Sequence, residues 1–116
     1  MKTVSSQPEA LGQRLRLARE QAGLSQGQVA RMLEYHRPTI SQIEAGKRIV
    51  RPDEIERFAE IYGVRDAWIL RGETIFAEES DPRIELAARE LAKMRQEDLD
   101  SILRLIKIMR IQGSDQ

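Results

Sequence analysis

Apolar residues recur three and four positions apart along most of the chain, the spacing that gives a helix one buried stripe. Leu11, Leu15, Ala18 and Ala22 make the first stripe, beginning near Glu9, and Gly23 supplies its C-terminal stop. Ser25 with Gln28 three residues on reads as a capping box. It opens a short second helix carrying Val29, Ala30 and Leu33. Glu34, Tyr35 and His36 form a turn. A third helix over 37–45 turns Ile40 and Ile43 inward, and Gly46 closes it. Pro52 suits the first position of a fourth helix, with Asp53 and Glu54 well placed in its first turn. Its apolar face is Ile55, Phe58, Ala59 and Tyr62, and Gly63 ends it. A fifth helix around 66–70 offers Trp68, Ile69 and Leu70 before Gly72.

Beyond these, residues 73–81 (ETIFAEESD) read as a linker. Asp81 and Pro82 then form an N-cap and an N1 proline, a strong helix start. The segment 82–112 is amphipathic, with a stripe of Ile84, Ala87, Ala88 and Leu91. A denser one follows, made by Leu99, Ile102, Leu103, Leu105, Ile106, Ile108 and Met109. Glu97 and Asp98 would suit a fresh N-terminus, so this segment is one helix or two, with the break near Arg95 and Gln96. No stretch alternates as a strand does. The fold class expected is all-α: five short helices over 9–72, then an amphipathic C-terminal helical segment.

Composition narrows the setting. The 116 residues suit one domain with an accessory element. Charged residues at 33% and hydrophobic ones at 41% give an ordinary soluble balance, and no window approaches the roughly 18 apolar residues of a membrane span. The first residues, MKTVSSQPEALGQ, lack the apolar core of a signal peptide. With no cysteine, a reducing, cytoplasmic interior is expected. Net charge is zero, yet its distribution is uneven. Residues 1–72 hold 12 Lys or Arg against 9 Asp or Glu, and residues 73–116 hold 7 against 10. From Gln26 to Arg51 five basic residues (Arg31, Arg37, Lys47, Arg48, Arg51) meet two acidic ones, a patch compatible with phosphate contact.

Candidate chemistry is sparse. One histidine and no cysteine leave no metal-ligand pair. His36 has no carboxylate fixed beside it with which to activate Ser41, and no glycine-rich phosphate loop follows a strand. An enzyme is therefore not expected, nor any cofactor.

The second and third helices with their turn have the dimensions of a helix-turn-helix. The run LGQRLRLAREQAGLSQGQVARMLEYHRPTISQIEAGKR, followed by IERFAEIYGV, resembles the lambda-repressor-like DNA-binding domain of the Cro/CI (XRE) transcriptional regulators over residues 9–72. The joint occurrence of LSQ, the apolar spacing, RPTIS and IEAGKR carries the resemblance.

It implies that helix 37–45 enters the major groove of double-stranded DNA with its N-terminal residues at the base edges. Arg37 can then donate two bonds to guanine, Gln42 can pair with adenine, and Thr39 and Ser41 are adaptable base contacts. Gln26, at the start of the second helix, would touch a base or the backbone. Lys47, Arg48 and Arg51 would reach phosphates, as would Arg14 and Arg19 from the first helix. The family also places Arg19 and Glu44 as a structural ion pair tying helix one to helix three. Two positions depart from its pattern: Glu34 stands where the turn usually has glycine, and His36 where it has serine or threonine.

An amphipathic segment as rich in Ile and Leu as 82–112 needs a partner surface. The resemblance implies homodimers on palindromic operators, and Leu99, Ile102, Leu103, Ile106 and Met109 are the expected dimer contacts. Packing within the chain is the alternative. The function expected is a cytoplasmic, dimeric, sequence-specific repressor of bacterial or phage type, nucleoid-associated when bound. A second reading is an antitoxin or protease-controlled regulator whose C-terminal helices bind a protein partner, a toxin or a metallopeptidase.

Overall fold

The computed structural model describes residues 7–73 and 81–114, and every regular element among them is a helix. The chain divides after Thr74 into two compact units. The linker expected at 73–81 falls mostly outside the described residues.

The first unit holds α1 (Gln7–Gln21), α2 (Gln26–Leu33), α3 (Arg37–Glu44), α4 (Pro52–Tyr62) and α5 (Asp66–Arg71). These five are the helices the apolar spacing predicts, with ends displaced by one or two residues. Each contributes one stripe to a common core. Leu15 and Ala18 come from α1, Val29, Ala30 and Leu33 from α2, and Ile40 and Ile43 from α3. Ile55, Phe58, Ala59 and Tyr62 come from α4, and Ile69 from α5. Removing such side chains from water stabilises by roughly 1.5–3 kcal/mol each, the main drive holding helices too short to stand alone.

Polar groups settle how these helices start and stop. The Ser25 hydroxyl accepts the Gln28 amide at 3.0 Å, and the Gln28 side chain accepts the Ser25 amide at 2.8 Å, the reciprocal box expected. α3 begins behind His36, whose side chain makes no capping bond.

α1 packs against α3, α4 and α5, and α2 packs against α3. Gly12 is what lets α1 come so close to α3. A Cβ there would lie 2.5 Å from the Glu44 carbonyl oxygen and 2.6 Å from that of Ile43. Gly46, at φ +77°, ends the same contact, since a Cβ on it would meet the Glu9 Cα at 2.8 Å. The end of α3 is thus seated directly on the α1 backbone.

In the second unit the 82–112 segment is two helices, α6 (Pro82–Leu91) and α7 (Gln96–Ser114). Asp81 caps α6 by accepting the Arg83 amide at 2.9 Å. Ala92 to Arg95 form the break, and Glu97 and Asp98 lie in the first turn of α7, where the helix dipole favours acids. Among the described residues of these two helices none is buried: Leu103, Leu105, Ile106, Ile108, Met109 and Ile111 keep between 38% and 61% of their surface exposed.

Candidate nucleic-acid interface

α3 divides its residues by side. Ile40 and Ile43 are buried, while Arg37, Ser41 and Gln42 are exposed. Thr39 is half-buried, on the flank beside the core face, so its open surface is smaller than that of the other three. Pro38 and Ala45, not among the expected contacts, are also exposed and share that open side. Their position follows from the 100° helical step, which the apolar pair alone would have predicted.

Behind this face lies a charged network. The Arg19 Nε donates to the Glu44 carboxylate at 2.7 Å and its second terminal nitrogen at 3.1 Å, while Nη1 donates to the Leu24 carbonyl at 2.9 Å. The two side chains are only 11% and 5% exposed. The bonds to Glu44 hold the Arg19 guanidinium above its ordinary pKa, against the opposing effect of burial. Arg19 and Glu44 thus form the ion pair expected of them. Three N–H groups of Arg19 are turned inward, to Glu44 and Leu24. The Gln26 amide nitrogen donates to the same Glu44 carboxylate at 3.0 Å, so this side chain is oriented by α3 as well as by its own helix. Tyr62, buried beside this charge, has its hydroxyl pKa pushed up by burial.

A second network was not foreseen. Glu54 is 1% exposed. Burial would raise its carboxyl pKa, but the Arg51 amide, the Tyr35 hydroxyl and the Arg48 guanidinium together lower it to about 2. The Arg51 amide donates to it at 2.8 Å, which is half of a capping box, since arginine has no acceptor to complete it. The Tyr35 hydroxyl also donates to it. Arg48 reaches it at 3.2 and 3.3 Å and lies over the Tyr35 ring, 5.7 Å from its centre. The sequence signal was a glutamate at the third position of α4, disguised by an arginine at the N-cap.

The remaining cations sort by these networks. Lys47 and Arg51 are exposed, and Arg51 pairs at the surface with Asp53 at 3.3 Å. Arg48 is half-buried and turned to Glu54, with which it pairs. Arg14 also has partners within the fold. It donates to the Ile69 and Leu70 carbonyls at 2.9 and 3.0 Å, satisfying groups at the end of α5 that have no helical partner.

A family profile described as a helix-turn-helix domain matches residues 10–69, just over half of the chain. The chain belongs to the helix-turn-helix domain family. That assignment agrees with the Cro/CI (XRE) resemblance and makes the first unit a DNA-binding domain. Curated proteins return no match. In this helix-turn-helix domain α2 and α3 are the pair, and the turn is Glu34, Tyr35 and His36. Glu34 takes the left-handed conformation at φ 62° and ψ 41°, the conformation glycine usually supplies. The departure in sequence therefore leaves the turn geometry intact and is met by strain, on the order of 1 kcal/mol. Among the described residues no helix is long and apolar enough to cross a membrane. None of them form a group of three or more His, Cys, Asp or Glu placed to hold a metal ion.

Proposed function

We propose that the protein is a sequence-specific transcriptional regulator, a dimeric repressor that reads a palindromic operator with α3 in the major groove. The observation that carries this reading is the division of α3. Its apolar pair and Glu44 seat it on α1 and α2, which leaves Arg37, Ser41 and Gln42 facing outward. Arg37 has the pair of donors that matches a guanine edge and Gln42 the donor and acceptor that match adenine, and Thr39 offers a methyl group and a hydroxyl at the flank. Gln26 adds an amide held in place by Glu44. Lys47 and Arg51 follow α3 and supply exposed cations for phosphates.

The second unit supports the dimeric part. Leu99, Ile102, Leu103, Ile106 and Met109 lie along one side of α7, and none of them is buried. A second copy would cover them and bring two α3 helices to half-sites about 34 Å apart. The same exposed stripe supports the second reading, an antitoxin or protease-controlled regulator whose α7 binds a toxin or metallopeptidase.

Selection of bound sequences from a random duplex pool tests the reading. A palindromic consensus is expected, with Arg37→Ala relaxing one base position by about 1–3 kcal/mol. Lys47→Ala should weaken every sequence alike and lower the salt slope by about one. A pool that shows no enrichment would overturn specific reading.

A further inference from the structure

α3 is held at both of its ends by one carboxylate. Tyr35, two residues before α3, donates its hydroxyl to Glu54. Arg48, four residues after α3, donates to both oxygens of that carboxylate, at 3.2 and 3.3 Å. Glu54 is itself fixed by the Arg51 amide at 2.8 Å and is 1% exposed. Two guanidinium groups pack on the Tyr35 ring, Arg48 at 5.7 Å and Arg57 at 5.9 Å. Arg57 also donates to the Leu33 carbonyl at 3.1 Å, on the last residue of α2. The turn, the loop after α3 and the start of α4 thus share one buried anchor.

The turn needs such an anchor because its local determinants are weak. Glu34 holds a left-handed conformation without being glycine, and His36 makes no capping bond to α3. Either feature favours relaxation of the turn, and any relaxation there tilts or rotates α3. Tyr35 lies between the two, and its bond to Glu54 opposes that motion. Ile40 and Ile43 hold the middle of α3 through non-directional contacts, and its last residue, Glu44, is pinned to Arg19 and Gln26, which leaves its first turn to be fixed from the turn before it.

We infer that Tyr35, through its hydroxyl bond to Glu54, is a positioning residue that sets the orientation in which α3 is offered to DNA. The inference rests on the DNA-reading function proposed above. Its role is in discrimination between sequences, since Tyr35 sits behind the open face of α3 and lends that face its register.

Tyr35→Phe tests it, keeping the ring and its two cations while removing the hydroxyl. In the full chain, the ratio of affinities for the selected duplex and a scrambled one should fall about tenfold, the scale of one hydrogen bond to a charged group. Affinity for scrambled DNA and its salt slope should stay as they were. A lowered melting temperature with an unchanged ratio would make the bond a stabilising contact only and overturn the inference, as would no change in either. Amide hydrogen exchange in the DNA-free protein gives a second, independent reading. Exchange over residues 40–44 should quicken in Tyr35→Phe relative to α1 and α4. If the wild type shows no sequence preference, the DNA-reading function fails. The exchange result then decides alone whether Tyr35 holds α3, and unchanged exchange would sink that as well.

Discussion

The Arg19 guanidinium meets the Glu44 carboxylate with two bonds, at 2.7 and 3.1 Å, and joins the last turn of the chain's first helix to the end of its third. Both charges are nearly out of water, so neither can be left alone cheaply. Arg19→Met is expected to destabilise the domain by about 3–5 kcal/mol, because Glu44 would keep only the Gln26 amide. A double variant, Arg19→Met with Glu44→Leu, should recover much of that loss. Chemical denaturation of Arg19→Met, Glu44→Leu, the double variant and the wild type gives the coupling, and additive losses would show that the pair acts as two independent residues.

Gly12 and Gly27 make an internal control. Both sit in helices, where alanine ordinarily stabilises by about 0.5–1 kcal/mol over glycine. A Cβ on Gly27 meets nothing nearer than the Ser25 hydroxyl at 3.9 Å, so Gly27→Ala should follow that rule. A Cβ on Gly12 would strike two backbone carbonyls of α3, which cannot swing away. Gly12→Ala is therefore expected to reverse the sign and destabilise by about 1–3 kcal/mol. Equal melting shifts for the two would mean that α1 and α3 are farther apart than they stand here.

These residues show where sequence reading reached and where it stopped. Helical periodicity placed all five helices of the first unit, because each is built on a single apolar stripe. The inward and outward sides of α3 followed from Ile40 and Ile43 for the same reason. Long-range partnerships were out of its reach. Gly12 falls within a good helical pattern, and nothing local says that another backbone lies against it. The partners of Arg14 and Arg48, the carbonyls of α5 and the buried Glu54, lie far along the chain or behind a disguised cap, and no local pattern marks them. Arg19 was legible as an ion pair only through the family resemblance.

Glu34 is the described residue other than glycine with a left-handed backbone, at φ 62°. Glu34→Gly should stabilise by about 1 kcal/mol, since glycine adopts this conformation without the Cβ clash. His36→Ser should add roughly 0.5–1 kcal/mol by supplying the side-chain cap that α3 lacks. Both are read as rises in melting temperature. A fall for Glu34→Gly would mean that the glutamate side chain contributes more than its backbone costs.

Glu54 links stability to pH with a definite sign. Its folded pKa of about 2 lies below the ordinary 4.5, so the unfolded chain binds the extra proton first as pH falls. The contribution is fully present above about pH 5 and drains away as pH drops from there toward 2, with a total on the order of 3 kcal/mol. Glu54→Gln should flatten this acid limb while costing stability at neutral pH, where the charged bonds to Arg48 are lost. An acid limb of unchanged slope in Glu54→Gln would assign it to other carboxylates.

α7 carries the last expectation, which concerns assembly. Its aliphatic residues are too many for a helix meant to stay in water, and burying them recovers about 25 cal/mol per Å². Ile106 and Met109 remain 44% and 61% exposed in the single chain, three residues apart on the proposed contact side. In a dimer both become buried, and a carboxylate at either place would be taken out of water without a partner. The wild type is therefore expected at twice its chain mass of 13.3 kDa in sedimentation equilibrium, and Ile106→Glu with Met109→Glu at the single mass. DNA affinity should fall with it, because two linked α3 helices bind a palindrome far more tightly than one. The helical content and melting of the first unit should not change. A wild type that sediments at 13.3 kDa would remove the dimer and favour a protein partner for the same stripe.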